Sequence, residues 1–348
     1  MSVTTTSDAV DTRGSGAARA SELFARRRRP IVGALAVLVA LLAVLTSAGT
    51  DLFYGHMIVI TLVYAALATA WNVVGGFAGQ LSLGHAGFFG IGAYTSSVLY
   101  VDHGISPWIG MLLALVLGGL VALAVGIPTF RLRGPYFALA TLALGTILLD
   151  LSINFRSLTR GEGGLSIPFE PSWANMTFYA QWPYAIIASA YLLICLAVSA
   201  RIAGSRLGYQ LAAVREDEEA SRALGVDTTR VKLIAGTVSG ALAAGAGVIY
   251  AQYVLFINPD SVLGVAVSVQ IIVLAVVGGT GVVLGPVLGA VVLVPVSELL
   301  LKHFGGALPG LQTLVYGVVV IVVILFSPRG LHGLLRAAVT RAGRGRQR

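Results

Sequence analysis

Long apolar stretches alternate with short polar segments along almost the whole chain. Because a helix needs about 20 apolar residues to cross a bilayer, this pattern predicts ten membrane-spanning helices. They fall near residues 31–48, 56–76, 84–101, 108–129, 135–153, 183–200, 233–256, 264–282, 285–301 and 309–327. Residues 52–101 and 261–297 contain no Asp, Glu, Lys or Arg, so either stretch has room for a re-entrant element. We expect an all-α integral membrane protein, a polytopic bundle of about ten transmembrane helices.

The composition excludes a soluble globular protein. Hydrophobic residues make up 57% of the chain and charged residues 11%, with a mean hydropathy of +0.88, whereas soluble domains carry about 25% charged residues. Cys195 is the only cysteine, which excludes an intrachain disulfide and a four-cysteine metal site. The net charge of +8 does not indicate a nucleic-acid partner, because the basic residues gather at the chain ends and in short segments between apolar stretches.

The basic residues predict the orientation of the chain, since Arg-rich and Lys-rich segments stay on the cytoplasmic side of a membrane. With ten spans, four basic regions share that side. They are Arg26 to Arg29, the Arg131/Arg133 turn, residues 201–232 and the tail after Arg329. Both termini are then cytoplasmic, and the loop at about 154–182 is external.

The same pattern divides the chain into three regions. Residues 1–30 form a disordered basic N-terminal tail, residues 31–330 form the transmembrane domain, and residues 331–348 form a basic cytoplasmic C-terminal tail. The first apolar stretch is expected to remain as a helix. It follows a long tail and lacks the small-residue cleavage site of a signal peptide.

Residues 201–232, hereafter the polar segment, carry several helix signals. Leu207, Leu211 and Val214 recur at helical spacing, Glu218 and Arg222 form an i,i+4 pair, Gly225 stands at a C-cap position, and Asp227 or Thr228 can cap the next helix. These signals predict a short helix with one apolar and one charged face. Because such a helix cannot bury its apolar stripe alone, either a partner surface or lipid headgroups must cover it. The alternative is an ordinary solvated connector.

Two glycine-rich segments interrupt the apolar pattern. In the first, GGFAGQLSLGHAGFFGIGAY at 75–94, a stripe of small residues for close helix packing begins and continues past its end: Ala86, Gly90, Ala93 and Ser97. Its centre carries polar and helix-weakening residues that predict a broken helix beside the translocation pathway: Gln80, Ser82, Gly84 and His85. For His85 we favour an interhelical or capping hydrogen bond over direct substrate contact.

The second glycine-rich segment, GGTGVVLGP at 278–286, follows the same Val-Val-Gly-Gly lead-in that stands at 73–76. The lead-in hints at a weak internal repeat with paired breaks near the pathway. Its candidate pathway or packing residues are Gly278, Gly279 and Gly285.

The motifs of several enzyme and motor classes are absent from the sequence. There is no G-x-x-x-x-G-K-[ST] phosphate loop, no H-E-x-x-H, no C-x-x-C and no recognisable nucleophile set. We therefore expect no catalytic residues, no metal site and no cofactor in this chain. Asp150 and Glu298, the acidic residues nearest the span interiors, lie near span ends and are expected to be interfacial anchors.

Several segments together resemble the permease subunits of high-affinity branched-chain amino-acid ABC importers. They are residues 75–94, 131–148, 213–251, 276–290 and 325–331, within a resemblance that extends over about 50–335. The resemblance implies a non-enzymatic subunit in a bacterial inner membrane that forms half of a translocation pathway. It also implies a second homologous permease, two ABC ATPase subunits that hydrolyse ATP, and an extracytoplasmic substrate-binding protein.

In such importers a cytoplasmic loop with an E-A-A-x-x-x-G motif docks on the ATPase. Glu219, Ala220, Ser221 and Gly225 fit this spacing, with Ser in place of the second Ala and without the downstream Leu-Pro. The resemblance thus implies a cytoplasmic coupling helix in the polar segment. Its candidate contact residues are Arg215, Glu216, Asp217, Glu219, Ala220, Ser221 and Gly225.

Three other functions stay open at this level. The same architecture also moves urea or short amides in sister sequences. A secondary transporter driven by an ion gradient would need an intramembrane site for its coupling ion, for which the sequence has few groups. A membrane enzyme would need a catalytic pair that the sequence does not show. The external stretch 158–173 is either a docking surface or a plain connecting loop.

Overall fold

The computed structural model describes residues 52–304 and six isolated positions between 314 and 333. The predicted first span, most of the predicted last span, the N-terminal tail and all but two residues of the C-terminal tail lie outside the described residues. Ten helices longer than five residues occur between 52 and 304. They are α1 (Leu52–Asn72), α2 (His85–His103), α3 (Pro107–Thr129), α4 (Pro135–Asn154), α5 (Trp182–Ala203), α6 (Arg206–Glu216), α7 (Glu218–Ala223), α8 (Thr228–Val254), α9 (Val265–Gly278) and α10 (Gly285–Phe304).

Shorter elements complete this part of the chain. A π-helix, Val73–Phe77, continues α1, and single turns of helix occur at Arg156–Thr159, Gly161–Gly163 and Pro259–Leu263. Strand β1, Leu165–Ser166, pairs antiparallel with β2, Phe256–Ile257. This small ribbon departs from the all-α expectation. It forms because the loop after α4 crosses the end of α8, where each backbone supplies hydrogen-bond partners for the other.

Seven helices of the described region are long and apolar enough to cross a membrane. They are Leu52–Phe77, Pro107–Thr129, Pro135–Asn154, Trp182–Ala203, Thr228–Val254, Pro259–Gly278 and Gly285–His303. All seven coincide with predicted spans. The predicted span at 84–101 corresponds to α2, which has 19 residues but is too rich in Gly, Ser and Tyr to reach the same apolarity. Helix α2 packs among neighbouring helices, so its surface does not have to be lipid-like.

Helix α8 lies at the centre of the bundle, where it contacts α1, α2, α3 and α5. Its contact with α2 is a close approach of two backbones. A Cβ atom at Gly92 would lie 1.8 Å from the Ala244 carbonyl oxygen, and one at Gly247 would lie 2.0 Å from that of Phe89. The predicted small-residue stripe of α2 is buried as well. Small side chains thus allow the tight helix packing that the sequence predicts.

Candidate functional site

The first break, residues 78–84, separates the π-helix from α2. Side chains of three other helices satisfy its backbone. Trp71 Nε1 donates to the Ser82 carbonyl oxygen (2.9 Å), Leu83 N donates to Thr141 Oγ1 (3.0 Å), and Ala86 N, just after the break, donates to Ser268 Oγ (3.0 Å). Irregular backbone at membrane depth is tolerated where protein surrounds it. The structure therefore has the broken helix that the sequence predicts. Ser82 and Gly84 of the break are buried, whereas Gly79 and Leu81 are exposed.

His85 joins three helices through hydrogen bonds of its ring. Its Nδ1 lies 2.9 Å from Ser82 Oγ, and its Nε2 lies 2.8 Å from Ser239 Oγ in α8. The Ser239 hydroxyl donates its proton to the carbonyl oxygen of Ala70 in α1 (2.6 Å). Since a hydroxyl has one proton to give, Ser239 accepts from Nε2–H, and Nδ1 accepts from the Ser82 hydroxyl. His85 thus makes an interhelical bond of the kind that the sequence favoured.

A small cavity of about 20 Å³ lies beside His85 between the π-helix, α2, α3, α4 and α8. Its polar lining comes from Ser82, His85, Thr129 and Thr141. The larger apolar side chains on its walls are Val74, Phe88, Val125, Phe130 and Phe137.

The other candidate pathway residues of the first break do not line this cavity. Gly84 precedes α2 at a point where a Cβ atom would lie 2.6 Å from the Thr141 carbonyl oxygen. Gln80 is partly exposed, and its amide reaches back to the carbonyl oxygen of Ala78. The structure therefore brings Ser82 and His85 to the cavity and leaves Gly84 and Gln80 beside it.

The second break, residues 279–284, separates α9 from α10. A Cβ atom at Gly278 would lie 1.8 Å from the Gly285 carbonyl oxygen, and one at Gly285 would lie 1.9 Å from that of Gly279. These three glycines let the end of α9 and the start of α10 cross with their backbones in contact. They are packing residues of this crossing, and none of them lines the cavity beside His85.

The structure brings the two breaks together through Asn72, in the last turn of α1. Its fully buried side chain donates from Nδ2 to the Val282 carbonyl oxygen (3.0 Å), and its Oδ1 accepts from Gly281 N (2.9 Å). Asn72 was not among the predicted site residues. The only signal for it was one amide side chain in an apolar span, immediately before the Val-Val-Gly-Gly sequence.

The polar segment folds into two helices, α6 and α7, where the sequence predicted one. Asp217 separates them with extended backbone angles (φ −154°, ψ 112°) and caps α7, its Oδ1 accepting from Glu219 N (2.9 Å) and Ala220 N (3.0 Å). Ser221 is buried and donates back to the Asp217 carbonyl oxygen (2.7 Å). An N-cap of this kind satisfies backbone donors that a continuing helix would have satisfied instead.

The predicted end of this segment is confirmed. Gly225 has φ +85°, and the chain closes α7 with bonds from Gly225 N to the Arg222 carbonyl and from Val226 N to the Ser221 carbonyl. These are the two bonds of a Schellman motif. Asp227 then caps α8 by accepting from Arg230 N at 3.0 Å.

The expectation about the apolar stripe of the polar segment is wrong. Leu211 and Val214 are buried within this chain, and they share a core cluster with Val73, Val74 and Phe77 of the π-helix. Neither a partner protein nor lipid is needed to cover the stripe. The surface that stays open is on the other side. It includes Leu224 (86% exposed) and Tyr209 (71% exposed), together with Glu216, Glu219, Ala220 and Gly225.

Charged side chains hold α7 against the bundle. Glu218 Oε1 accepts from Lys232 Nζ at 2.9 Å and from Arg222 at 3.0 Å, and Lys232 is fully buried. Glu219 pairs with Arg133 in the turn between α3 and α4. The predicted Glu218–Arg222 pair is thus present. No pattern in the sequence indicates the contact between Glu218 and Lys232, because the two residues lie 14 positions apart in different helices.

Arg215, at the end of α6, faces the first break. Its Nη1 donates to the Gly76 carbonyl oxygen at 2.7 Å across 139 positions of sequence. Of the predicted contact residues in the polar segment, Arg215 therefore bonds to the π-helix, and Asp217 and Ser221 stabilise α7. All seven except Ser221 are exposed.

The two acidic residues near the span ends lie far apart in sequence and setting. Glu298 Oε2 in α10 lies 3.9 Å from His56 Nε2, and Asp150 in α4 is exposed. In the part of the chain that the structure describes, no group of three or more His, Cys, Asp or Glu side chains could hold a metal ion.

Comparisons with known proteins show which family this chain belongs to. Residues 52–324 match the family model described as branched-chain amino acid transport system / permease component. The chain is 32% identical over 299 residues to the high-affinity branched-chain amino acid transport system permease protein LivM of Salmonella typhimurium, covering 79% of this chain and 69% of the relative. The corresponding LivM of Escherichia coli is 31% identical over 300 residues, covering 80% of this chain and 69% of the relative. LivH of Escherichia coli, the high-affinity branched-chain amino acid transport system permease protein, is 26% identical over 289 residues, covering 78% of this chain and 91% of the relative. The chain thus belongs to the family of branched-chain amino acid transport system permease components.

Proposed function

We propose that this chain is the permease subunit of an ATP-binding-cassette importer for branched-chain amino acids in a bacterial inner membrane. It would form half of the pathway, beside a second homologous permease, with two ATPase subunits and an extracytoplasmic substrate-binding protein. The observation that carries the proposal is the fold of the polar segment, in a chain of this family. Helix α7 presents an open surface, and α6 contacts the first break. The likeness to both LivM and LivH permeases supports a pair of related permeases.

The contacts of α7 support a cytoplasmic face for the polar segment. The Arg133–Glu219 ion pair joins two of the basic regions that the sequence assigns to the cytoplasm. Loop 155–181 lies at the opposite end of α5 and is external in this arrangement. With the two spans outside the described residues, the chain has ten spans and both termini in the cytoplasm.

Helix α7 is the proposed docking site for an ATPase subunit. Leu224, at the end of α7, is 86% exposed and offers an apolar side chain to a partner. The ion pair between Glu218 and Lys232 joins α7 to the start of α8. A partner that binds α7 tightly would therefore move α8 and the bundle when it moves α7. Nucleotide-driven closure of the ATPase pair would then become a rigid-body movement of the spans.

The proposed substrate follows from the relatives, which are named as branched-chain amino acid transport permeases. The cavity beside His85 is lined by aromatic and branched apolar side chains, together with three hydroxyls and one imidazole. At about 20 Å³ it would have to widen before an amino acid could enter. Urea is the alternative substrate.

The test of docking uses Leu224→Ser in the purified complex. Since Leu224 is exposed in this chain, the substitution should leave the thermal unfolding of the isolated permease unchanged. It should weaken ATPase binding about tenfold or more, the scale of losing one buried leucine. Tyr179→Ser, an 84% exposed residue at the opposite end of α5, is the control for ATPase binding. Equal ATPase affinity in wild type and Leu224→Ser would contradict docking through α7.

The function itself is tested by uptake into lipid vesicles. ATP and the loaded binding protein together should drive leucine uptake by the complete complex. Uptake driven by an ion gradient in the absence of ATPase subunits would contradict the proposal. ATP-driven uptake of urea without leucine would select the alternative substrate.

A further inference from the structure

Arg215 connects the polar segment to the end of α1. Its Nη1 donates to the carbonyl oxygen of Gly76 at 2.7 Å, within the π-helix that ends α1. The last carbonyls of a helix lack intrahelical partners and carry the negative end of the helix dipole. A guanidinium at this position therefore makes a charge-assisted hydrogen bond, which is stronger than one between neutral groups.

The second break lies against the same guanidinium. A Cβ atom at Gly281 would stand 2.3 Å from Arg215 Nη1. The backbone N–H of Gly281 also donates to Asn72 Oδ1, while Asn72 Nδ2 donates to the Val282 carbonyl oxygen. One guanidinium and one buried amide thus hold α6, the end of α1 and the second break together.

The glycines around these two side chains make room for them. A Cβ atom at Gly76 would lie 1.8 Å from Asn72 Oδ1, and one at Gly79 would lie 2.9 Å from Arg215 Cγ. Gly79 and Gly281 also have positive φ angles, +67° and +76°, which residues with a side chain rarely adopt. Some glycines in and next to the two breaks therefore leave room for the side chains of Arg215 and Asn72.

We infer that Arg215 is a positioning residue that passes movement of α6 and α7 to both breaks at once. This inference rests on the proposed function and gives Arg215 a role different from contact with the ATPase. Leu211 and Val214 of α6 pack on the π-helix, so α6 and the first break move as one unit. The Arg215 guanidinium lies against Gly281 of the second break, which Asn72 bonds to the end of α1. A displacement of α7 reaches both breaks through Asp217 and Arg215.

The first experiment needs neither ATPase nor transport. Hydrogen exchange is measured on the full chain in lipid nanodiscs at the amides of residues 78–84 and 279–284. Arg215→Ala should accelerate exchange in both breaks by about tenfold, the scale of losing one charge-assisted hydrogen bond. Arg206→Ala, an exposed arginine at the other end of α6, should leave both breaks unchanged. Unchanged exchange in both breaks of Arg215→Ala would overturn the inference.

The second experiment uses the assembled importer and measures substrate taken up per ATP hydrolysed. Arg215→Ala should retain the ATPase subunits and lower this ratio by about tenfold, while Arg215→Lys, which keeps one charged donor, should recover part of it. Loss of ATPase binding in Arg215→Ala would make the residue a docking contact and overturn its positioning role. A wild-type complex without ATP-driven uptake would refute the proposed function and leave the exchange result standing.

Discussion

The two glycine-rich breaks follow the same Val-Val-Gly-Gly sequence but are stabilised in different ways. Side chains from three other helices satisfy the backbone at the first break, and a cavity with polar groups lies beside it. The second break is stabilised by a backbone crossing of α9 and α10 at Gly278 and Gly285. At the first break, the hydroxyl of Ser82 and the imidazole of His85 therefore border open space.

The difference shows what the shared sequence determines and what it does not. Val-Val-Gly-Gly lies at the end of a helix in both places, where consecutive glycines weaken helical backbone. What forms beside the break depends on the helices around it. Ser82, Thr141 and His85 supply polar groups at the cavity of the first break. At the second break, Gly278 and Gly285 bring the backbones of α9 and α10 into contact.

The largest expected effect is that of Gly285→Ala at the second break. The new Cβ atom would lie 1.9 Å from the carbonyl oxygen of Gly279, and backbone has little freedom to yield. Overpacking of this kind costs about 3 kcal/mol or more, so the fraction of chain that stays monodisperse on heating in detergent should fall sharply. Gly163→Ala is the control, because nothing lies within 4 Å of its added Cβ atom. A Gly285→Ala protein as heat-resistant as Gly163→Ala would contradict the packing role of the second break.

A smaller effect is expected from His85→Ala at the first break. The substitution removes two buried hydrogen bonds and enlarges the cavity, at a cost of about 2 kcal/mol. Ser239→Ala breaks the same interhelical bond without changing the residues that line the cavity. If the first break is a polar site on the pathway, His85→Ala should lower uptake by about tenfold more than Ser239→Ala at similar assembly. Equal uptake by the two variants would show that His85 contributes to helix packing and not to the pathway.

The sequence predicted those features that depend on neighbours in the chain. Apolar length located the spans, consecutive glycines located both breaks, and Gly225 and Asp227 marked the end of α7 and the start of α8. Each of these signals is local, because helix ends are determined by residues within one turn.

The features that the sequence did not reveal depend on residues far apart. The split at Asp217 lies in a run of good helix formers, and the buried contact between Glu218 and Lys232 holds α7 in its separate place. The apolar stripe of α6 was visible in the sequence as apolar residues that recur at helical spacing. That spacing does not show which surface covers the stripe. Asn72 meets the second break across about 210 positions, a distance over which periodicity carries no information.

The smallest expected effect is that of Thr141→Val, which tests how the first break is held. Thr141 Oγ1 accepts from Leu83 N at 3.0 Å, and valine has the same shape without the acceptor. Water from the neighbouring cavity can reach the freed N–H, so the cost should be only about 1 kcal/mol. Hydrogen exchange at Leu83 should accelerate several-fold while the amides of 279–284 keep their rates. Thr141→Ser, which retains the hydroxyl, should restore the wild-type rate at Leu83. Acceleration in both breaks would show that they share one support, and the contrast between a bonded first break and a packed second break would then fail.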